Sequence, residues 1–412
     1  MLTDEQRPWP RVVILVDMNC FFAQVEQQDN PFWRNRPIAV TNGVQGSTII
    51  TSSYEARAYG VKTGMRLKEA RRLCPELIQA PSRPNRYAEI STKIMASLHA
   101  ITPDLEVYSV DEAFLDVTHC QSLLGSPLEI AQLVKDTVSN VSGLTCSVGV
   151  SGDKTTAKYA AKLNKPDGLT QILPWESEAV LASLHITELS GINTGTANFL
   201  KQYGVINCGD MKKIPISIPA KRFGNLGRRI WLMAQGKDPD TIQVNVKPPK
   251  TIGHGKVLPP QTNDLNTLLT YLQHMTEKVA ARLRKHHYKA SQFYIGLKTE
   301  QGWLQTKVKL SAAIDDGQML FTQCRQFTMR YWHGEGVWQV QVTALNPLSE
   351  QQSDLFEDVT ISSKRDKLNS AVDLINQRYG EFTIAPTALI DRSAMPNVIA
   401  PSWKPSGHRK TI

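Results

Sequence analysis

The sequence predicts an α+β protein built from several domains. Three observations indicate this class: the 412-residue chain is 41% hydrophobic, its first 175 residues alternate strand and helix patterns, and residues 251–345 repeat that alternation after a helical stretch. A chain of this composition can bury a large core, and its length is typical of two to four domains.

The first 175 residues contain the longer of the two alternating regions. Short β-branched runs predict strands near residues 12–16, 37–41, 48–51, 105–108, 112–117 and 145–150. Helical periodicity predicts helices near residues 20–28, 85–100, 127–141 and 153–163. Such an alternation is typical of a largely antiparallel sheet with helices on one face.

The rest of the chain divides at a proline-containing linker. Residues 176–236 have helical patterns throughout, and the adjacent prolines of segment 245–250 favour an extended strap. Strand-like alternation near 292–298, 305–310 and 338–343 then predicts a second α+β domain. One more helix is predicted near 364–379, followed by a loose, proline-containing end.

The net charge of +9 is unevenly distributed. The first 180 residues are slightly acidic, the tail is neutral, and the basic excess lies between residues 181 and 345. This distribution indicates a nucleic-acid-binding half attached to an acidic catalytic half. A merely soluble basic domain is the alternative interpretation.

Cysteine spacing and the length of the apolar runs indicate the cellular compartment of the chain. The six cysteines form no Cys-x-x-Cys pair and no zinc spacing, which predicts reduced thiols that ligate no metal. No apolar run approaches the roughly 18 residues that a membrane span needs, and the first residues lack a signal-peptide pattern. A cytoplasmic protein without membrane contact is therefore expected.

Three carboxylates interrupt apolar runs. Asp17 follows the run 12–16, and the adjacent pair Asp111 and Glu112 begins another strand-like run. A buried unpaired charge is costly, and a bound cation is the usual remedy. Hard oxygen ligands suit Mg²⁺, which indicates phosphoryl transfer. The alternative is a solvated strand end with an ordinary ion pair.

The segments around these carboxylates resemble the ordered motifs of the Y-family translesion DNA polymerases, most closely the DNA polymerase IV class. The similarity runs from about residue 11 to about residue 356, and its motifs are 16–26, 52–61, 109–117 and 149–168. The resemblance implies a multi-domain right-hand polymerase with a ferredoxin-like palm, small fingers, a helical thumb and an α+β little finger. It places the palm at 1–19 and 82–173, the fingers at 20–81, the thumb at 174–241, the little finger at 246–346 and a tail at 347–412.

The resemblance also assigns the catalytic residues. Asp17 and Asp111 would bridge two Mg²⁺ ions, Glu112 would serve the catalytic ion, and the backbone carbonyl of Met18 would complete the nucleotide-side ion. Phe22 stands at the position of the steric gate, where an aromatic ring beneath the sugar excludes a 2′ hydroxyl by clash.

Phosphate contacts follow from the same comparison of motifs. Tyr54, Arg57 and Lys165 match the residues that hold the incoming triphosphate, although packing is an equal alternative for Tyr54. Phe21 is interpreted as an ordinary core aromatic. A stripe of lysines at four-residue spacing is either solvated or in contact with DNA, and it comprises Lys154, Lys158 and Lys162.

Two further segments resemble binding elements. Residues 189–200 resemble a helix-hairpin-helix, with Asn193 where the family usually has a second glycine; asparagine tolerates a positive φ, so the turn can survive. A purely structural hairpin is the alternative. Residues 352–356 resemble the peptide by which bacterial polymerases dock on the sliding clamp, with Gln352, Leu355 and Phe356 as the contacting residues.

These resemblances imply a template-directed DNA polymerase that carries out error-prone translesion synthesis by two-metal-ion nucleotidyl transfer. Its expected partners are primer-template DNA, dNTPs and the sliding clamp, and a monomer is expected. One alternative is a catalytically silent member that binds clamp and DNA; intact Asp17, Asp111 and Glu112 oppose it. Another is a nucleotide cyclase on a similar sheet, which the basic second half disfavours.

Overall fold

The computed structural model describes residues 9–44, 47–245, 248–349 and 359–391. These residues form two compact units: the first holds the described residues up to 245, and the second holds those from 248 to 391. The peptide 352–356 and residues 246 and 247 of the linker lie outside the described residues.

The described strands, numbered in chain order, are β1 Val13–Met18, β2 Ile38–Thr41, β3 Ile49–Ser52, β4 Ile78–Pro81, β5 Leu105–Val107, β6 Glu112–Asp116, β7 Cys146–Ser151, β8 Leu169–Gln171, β9 Thr251–Thr262, β10 Ala290–Thr299, β11 Gly302–Ile314 and β12 Val337–Leu345. The described α-helices are α1 Phe21–Asp29, α2 Tyr54–Ala58, α3 Leu67–Leu73, α4 Pro84–His99, α5 Gln121–Leu124, α6 Pro127–Ser142, α7 Lys154–Leu163, α8 Ser177–Ala182, α9 Thr194–Lys201, α10 Ser217–Phe223, α11 Asn225–Met233, α12 Leu265–Lys285, α13 Gly317–Tyr331 and α14 Val359–Tyr379. The predicted elements are present, and β4, β8, β9, α2, α3 and α5 are additions.

The central sheet of the first unit has the order β5-β6-β1-β7-β8, with β1 antiparallel to both neighbours. Ile14 and Val16 belong to the core that contains residues of α4 and α6, whereas Val13 and Leu15 pack with residues of α7. Because successive strand residues point to opposite faces, helices cover both faces of this sheet. The expectation of helices on one face only is therefore wrong.

A three-stranded sheet, in the order β3-β2-β4, forms the smaller β layer of the first unit. Strand β4 pairs parallel with β2, and β8 pairs parallel with β7. The two unpredicted strands of this unit, β4 and β8, are four and three residues long and only partly buried. Such short strands show too little alternation to be recognised from the residue pattern.

The second unit contains a four-stranded antiparallel sheet in the order β11-β10-β12-β9. Its core combines the inward residues of the sheet with apolar residues of α12 and α13. Edge strand β9 was not predicted because Gly253, Gly255, Pro259 and Pro260 interrupt its β-branched pattern. Glycine and proline are depleted in central strands, whereas an edge strand tolerates them.

The tail also packs on the second unit. Arg365 of α14 contacts Asp316 at 2.6 Å, and Glu381 contacts Lys278 of α12 at 2.7 Å. Leu389 is fully buried. The predicted tail helix is confirmed, but the loose end expected after it is wrong for residues 380–391, because the ion pair of Glu381 and the buried side chain of Leu389 hold this segment.

Neither a disulfide nor a helix long and apolar enough to cross a membrane is found in the described part of the chain. All six cysteines are free, and five of them are buried. Burial raises the pKa of the Cys146 thiol to about 12, so this side chain behaves as a small apolar residue at neutral pH.

Gly149 of β7 lies directly beneath α7. A Cβ atom at this position would overlap the backbone of Ala157 and Ala161. Gly149→Ala is therefore expected to lower the free energy of unfolding by about 2 kcal/mol or more, because backbone cannot move aside as a flexible side chain can. Thermal unfolding of the full chain measures this loss. Gly195→Ala in α9 is the control, since its Cβ would meet only the side chain of Asn193, at 3.3 Å.

Candidate active site

The three predicted carboxylates lie side by side on adjacent strands. Asp17 of β1 pairs directly with Glu112, the first residue of β6. The backbone N–H of Met18 donates to the carbonyl of Asp111 at 2.9 Å. The antiparallel register of β1 and β6 therefore brings together residues that are almost a hundred positions apart in the sequence.

Each of these carboxylates has a specific partner. Lys165 Nζ contacts Asp17 Oδ2 at 2.5 Å, and Lys158 Nζ contacts Glu112 Oε1 at 2.6 Å. Across residues 9–44, 47–245, 248–349 and 359–391, no group of three His, Cys, Asp or Glu side chains is arranged to hold a metal ion. The ammonium groups of Lys165 and Lys158 supply the positive charge next to Asp17 and Glu112.

Burial perturbs two of the carboxylates. It raises the pKa of Asp17 to about 6, an effect that Lys165 opposes and that the negative charge of Glu112 reinforces. Burial also raises the pKa of Asp111, although the Ser109 hydroxyl donates to Asp111 Oδ1 at 2.6 Å and partly offsets the rise. The nearby lysines therefore do not fully compensate the effect of burial on the pKa of Asp17 and Asp111. A raised carboxyl pKa is typical of functional sites.

Phe22 lies on the first turn of α1, five residues after Asp17. Its ring stacks on that of Tyr87, with centroids 4.2 Å apart and planes 17° apart. Tyr87 is fully buried and donates to Glu26 Oε1 at 2.6 Å, and Glu26 in turn pairs with Arg83 at 2.9 Å. The Phe22 ring is therefore held from behind by α4, a support that no sequence signal indicated.

Tyr54 and Arg57 lie on the single turn of α2, which Ser53 caps. The Arg57 guanidinium lies 4.9 Å from the centroid of the Tyr54 ring and donates to the carbonyl of Ser52 at 3.1 Å. Burial raises the pKa of Tyr54, and the charge of Asp17 contributes to the rise. Tyr54 also packs against the main core, which supports the packing interpretation, and its contact with a triphosphate stays a prediction.

Each lysine of the stripe on α7 pairs with a carboxylate, and the lysines become more exposed along the helix. Lys154 is almost fully buried and contacts Glu106 and Asp240, each at 2.8 Å. Lys158 contacts Glu112, as described above, and Lys162 pairs with Glu188. The solvated-stripe interpretation is therefore wrong for the buried Lys154, whereas Lys162 is exposed as that interpretation expects. Each of the three ammonium groups has a carboxylate partner that comes from a distant part of the chain.

The helix-hairpin-helix segment forms its turn without a positive φ at Asn193. Gly191 has a φ of +87°, whereas Asn193 has a φ of −90° and is the N-cap of α9. Its side-chain oxygen accepts from the backbone N–H of Thr196 at 2.9 Å. Asparagine is a favoured N-cap residue, so the substitution keeps the helix start intact.

Comparisons with known proteins found two family matches in this chain. Residues 16–162 match the impB/mucB/samB family, and residues 249–355 match the impB/mucB/samB family C-terminal domain. The first match contains Asp17, Phe22, Asp111 and Glu112, and it ends three residues before Lys165.

Individual relatives cover almost the whole chain. A DNA polymerase IV of Moorella thermoacetica is 34% identical over 90% of this chain and 94% of its own length. A DNA polymerase IV of Desulfatibacillum aliphaticivorans is 32% identical over 94% of this chain and 99% of its own length. The solved structure of a Y-family DNA polymerase chimera covers 82% of this chain and 100% of its own, with 28% identity and a TM-score of 0.71.

Proposed function

This chain belongs to the impB/mucB/samB family and is a Y-family polymerase of the DNA polymerase IV type, and on this premise we propose that Asp17, Asp111 and Glu112 are its catalytic residues. The chain is a DNA-directed DNA polymerase that acts in translesion synthesis. The observation that supports the residue assignment is the side-by-side pairing of these carboxylates at the ends of β1 and β6.

The chemistry of the donors at this site suits Mg²⁺, although the described carboxylates are not grouped to hold an ion while lysines pair with Asp17 and Glu112. Carboxylate oxygens are the ligands that Mg²⁺ prefers, and ammonium groups already occupy positions at Asp17 and Glu112 where positive charge is favourable. Asp17, Asp111 and Glu112 would hold Mg²⁺ ions with their carboxylates, and Met18 would hold them with its backbone carbonyl. The chemistry that such ions supply is neutralisation of phosphate charge and activation of the primer 3′ hydroxyl.

Lys165 has a second role in this proposal. In the structure it neutralises Asp17, and in the assigned role it binds the triphosphate together with Tyr54 and Arg57. A phosphate group attracts the same ammonium, so binding of the nucleotide would draw Lys165 away from Asp17. The carboxylate would then be available to a cation when the substrate is in place.

Phe22 is proposed to select the sugar. Its ring cannot retreat easily, because it stacks on a tyrosine that is fully buried and hydrogen-bonded to Glu26. A rigid ring excludes a 2′ hydroxyl by steric overlap and needs no polar contact.

The DNA-binding parts of the proposal follow the domain division expected from the sequence. The palm (1–19 and 82–173) and the fingers (20–81) would hold the nucleotide. The thumb (174–241) and the little finger (246–346) would hold primer-template DNA by sequence-independent phosphate contacts. A monomer in the cytoplasm is part of the same proposal.

A catalytically silent family member is not favoured, because the carboxylates that such a protein would not need are all present, with Asp17 and Glu112 paired in register and Asp111 beside them. Primer extension with purified protein, dNTPs and Mg²⁺ tests the proposal. Template-directed extension that EDTA abolishes is expected; a protein that binds primer-template DNA but never extends it would contradict the catalytic assignment.

Residues 352–356 are proposed to bind the sliding clamp, on the strength of their resemblance to clamp-binding peptides and their position after β12. Replacing both Leu355 and Phe356 with Ala is expected to remove clamp-stimulated processivity, because these side chains would be the apolar anchors. Distributive synthesis should remain. Product length with and without clamp and loader is the measurement, and equal stimulation of wild type and double variant would refute this role.

A further inference from the structure

The loop between α7 and β8, residues 164–168, carries Lys165, and its two ends are fixed. The Asn164 side chain donates to Thr170 Oγ1 at 2.9 Å, and the Gly168 carbonyl accepts from the backbone of β7 at 2.9 Å. A Cβ atom at Gly168 would overlap the carbonyl oxygen of Asn164, so the two ends of the loop are in direct contact. The base of the loop is therefore held against β7 and β8.

Lys135 of α6 holds the tip of the same loop. Its ammonium group donates to the backbone carbonyl of Asp167 and, at 2.8 Å, to Asp167 Oδ1. Asp167 has a φ of +56°, in the left-handed region that residues other than glycine adopt uncommonly. The two contacts of Lys135 therefore hold the loop in a conformation that its own backbone does not favour.

Helix α6 is a rigid support for this lysine. A capping box fixes its first turn, and the side chains of Val134 and Val138 are fully buried in the main core. Lys135 directly follows Val134, so core packing sets the backbone position from which its side chain extends. The ion pair thus ties the loop 164–168 to a well-packed helix.

Lys165 lies two residues before Asp167, and its ammonium group contacts Asp17 Oδ2 at 2.5 Å. A lysine carries its charge on a flexible four-carbon stem, so the position of the backbone decides which groups the ammonium can reach. In the proposed function the same ammonium has to reach the incoming triphosphate. The contact between Lys135 and Asp167 therefore bears on nucleotide binding, although it lies outside the carboxylate cluster.

We propose that Lys135 is a positioning residue for nucleotide binding: by holding Asp167 it fixes the backbone from which Lys165 extends to the triphosphate. Lys135 itself does not touch the nucleotide. Holding a binding group in place before the ligand arrives reduces the entropy that is lost on binding, and affinity rises accordingly. This inference rests on the proposed function, because it requires that Lys165 binds the triphosphate.

Lys135→Met tests the inference, because methionine keeps an unbranched side chain and removes the ammonium group. The KM for dNTPs is expected to rise at least about fivefold, while kcat and the affinity for primer-template DNA change less than about twofold. The Kd for a dNTP, measured on a primer that ends in a dideoxynucleotide, should rise in parallel without any turnover. Lys135→Arg, which keeps the charge, should restore most of the affinity.

A double-variant cycle with Lys165→Met shows whether Lys135 acts through Lys165. Lys165→Met alone should raise the Kd for the dNTP. In that background, adding Lys135→Met should change the Kd by less than about twofold, because the loop no longer carries the group that Lys135 positions. The same additional loss in both backgrounds would refute the positioning role and indicate a general structural effect.

Two further variants separate this role from loss of charge or of folding. Lys93→Met is the matched control, since Lys93 lies on α4 of the same unit and pairs with Glu89 of its own helix at 2.8 Å; its Kd for the dNTP should equal that of the wild type. Asp167→Gly removes the carboxylate at a φ that glycine adopts readily, so it should weaken dNTP binding even if Lys135→Met fails to fold.

Failure of the inference and failure of the proposed function give different results. If Lys165→Met weakens dNTP binding while Lys135→Met and Asp167→Gly bind like the wild type, the positioning role is refuted and the role of Lys165 stands. If Lys165→Met binds the dNTP as tightly as the wild type, the proposed triphosphate contact is itself wrong, and the inference falls with it.

Discussion

Asp111→Asn or Glu112→Gln is expected to abolish primer extension, with a loss of at least about a thousandfold, or roughly 4 kcal/mol of transition-state stabilisation. Each change preserves the size of the side chain and removes a charged ligand from the cluster at the ends of β1 and β6. Because the backbone register of these strands does not depend on the side-chain charge, the affinity for primer-template DNA should change little. Single-turnover extension together with a DNA-binding titration measures both quantities.

Asp104→Asn provides the control for this experiment. Asp104 is exposed and precedes β5 of the same sheet, and its contact with Asp116 uses the backbone carbonyl and not the carboxylate. Its extension rate should equal that of the wild type. Substantial turnover by either Asp111→Asn or Glu112→Gln would mean that the cations bind elsewhere.

Phe22→Val is expected to raise the incorporation of ribonucleotides relative to deoxynucleotides by about a hundredfold or more, equivalent to roughly 2.7 kcal/mol of discrimination. The smaller side chain leaves room for a 2′ hydroxyl, and Tyr87 behind it is fixed by Glu26 and cannot move into the space. Use of deoxynucleotides should be affected much less. The ratio of kcat/KM for a ribonucleotide and its deoxy counterpart is the deciding quantity.

The adjacent residue supplies a matched control. Phe21 lies 5.6 Å from Phe22, measured between ring centroids, and is also buried. Phe21→Val removes the same volume from the neighbouring core and should lower stability. Its sugar discrimination should stay at the wild-type value; a similar rise in both variants would indicate a general loosening of the pocket and not a gate.

The carboxylates could be predicted because their signal is local. Asp17, Asp111 and Glu112 stand in apolar, β-branched surroundings, where a bare charge is unusual enough to indicate a site. Strand pairing then brings the two segments together, as the motif pattern suggested. Their roles with metal ions remain a proposal that the two experiments above address.

The supporting residues could not be predicted, because their signal is purely spatial. Tyr87 is 65 positions from Phe22 and has no motif that marks it as a partner. The lysines of α7 have the spacing of a solvated stripe, and only the fold supplies carboxylates from distant segments for each of them. Periodicity identifies a helix face but not what that face meets.

Helix α7 also limits how this region of the chain can change in length. Its close approach to Gly149 fixes its register against β7, and its lysines reach four separate carboxylates. A one-residue insertion within α7 would rotate every later side chain by about 100°, which would turn the following lysines away from their partners. We therefore expect sequence drift in this helix to proceed by substitution, with insertions and deletions confined to the connecting loops.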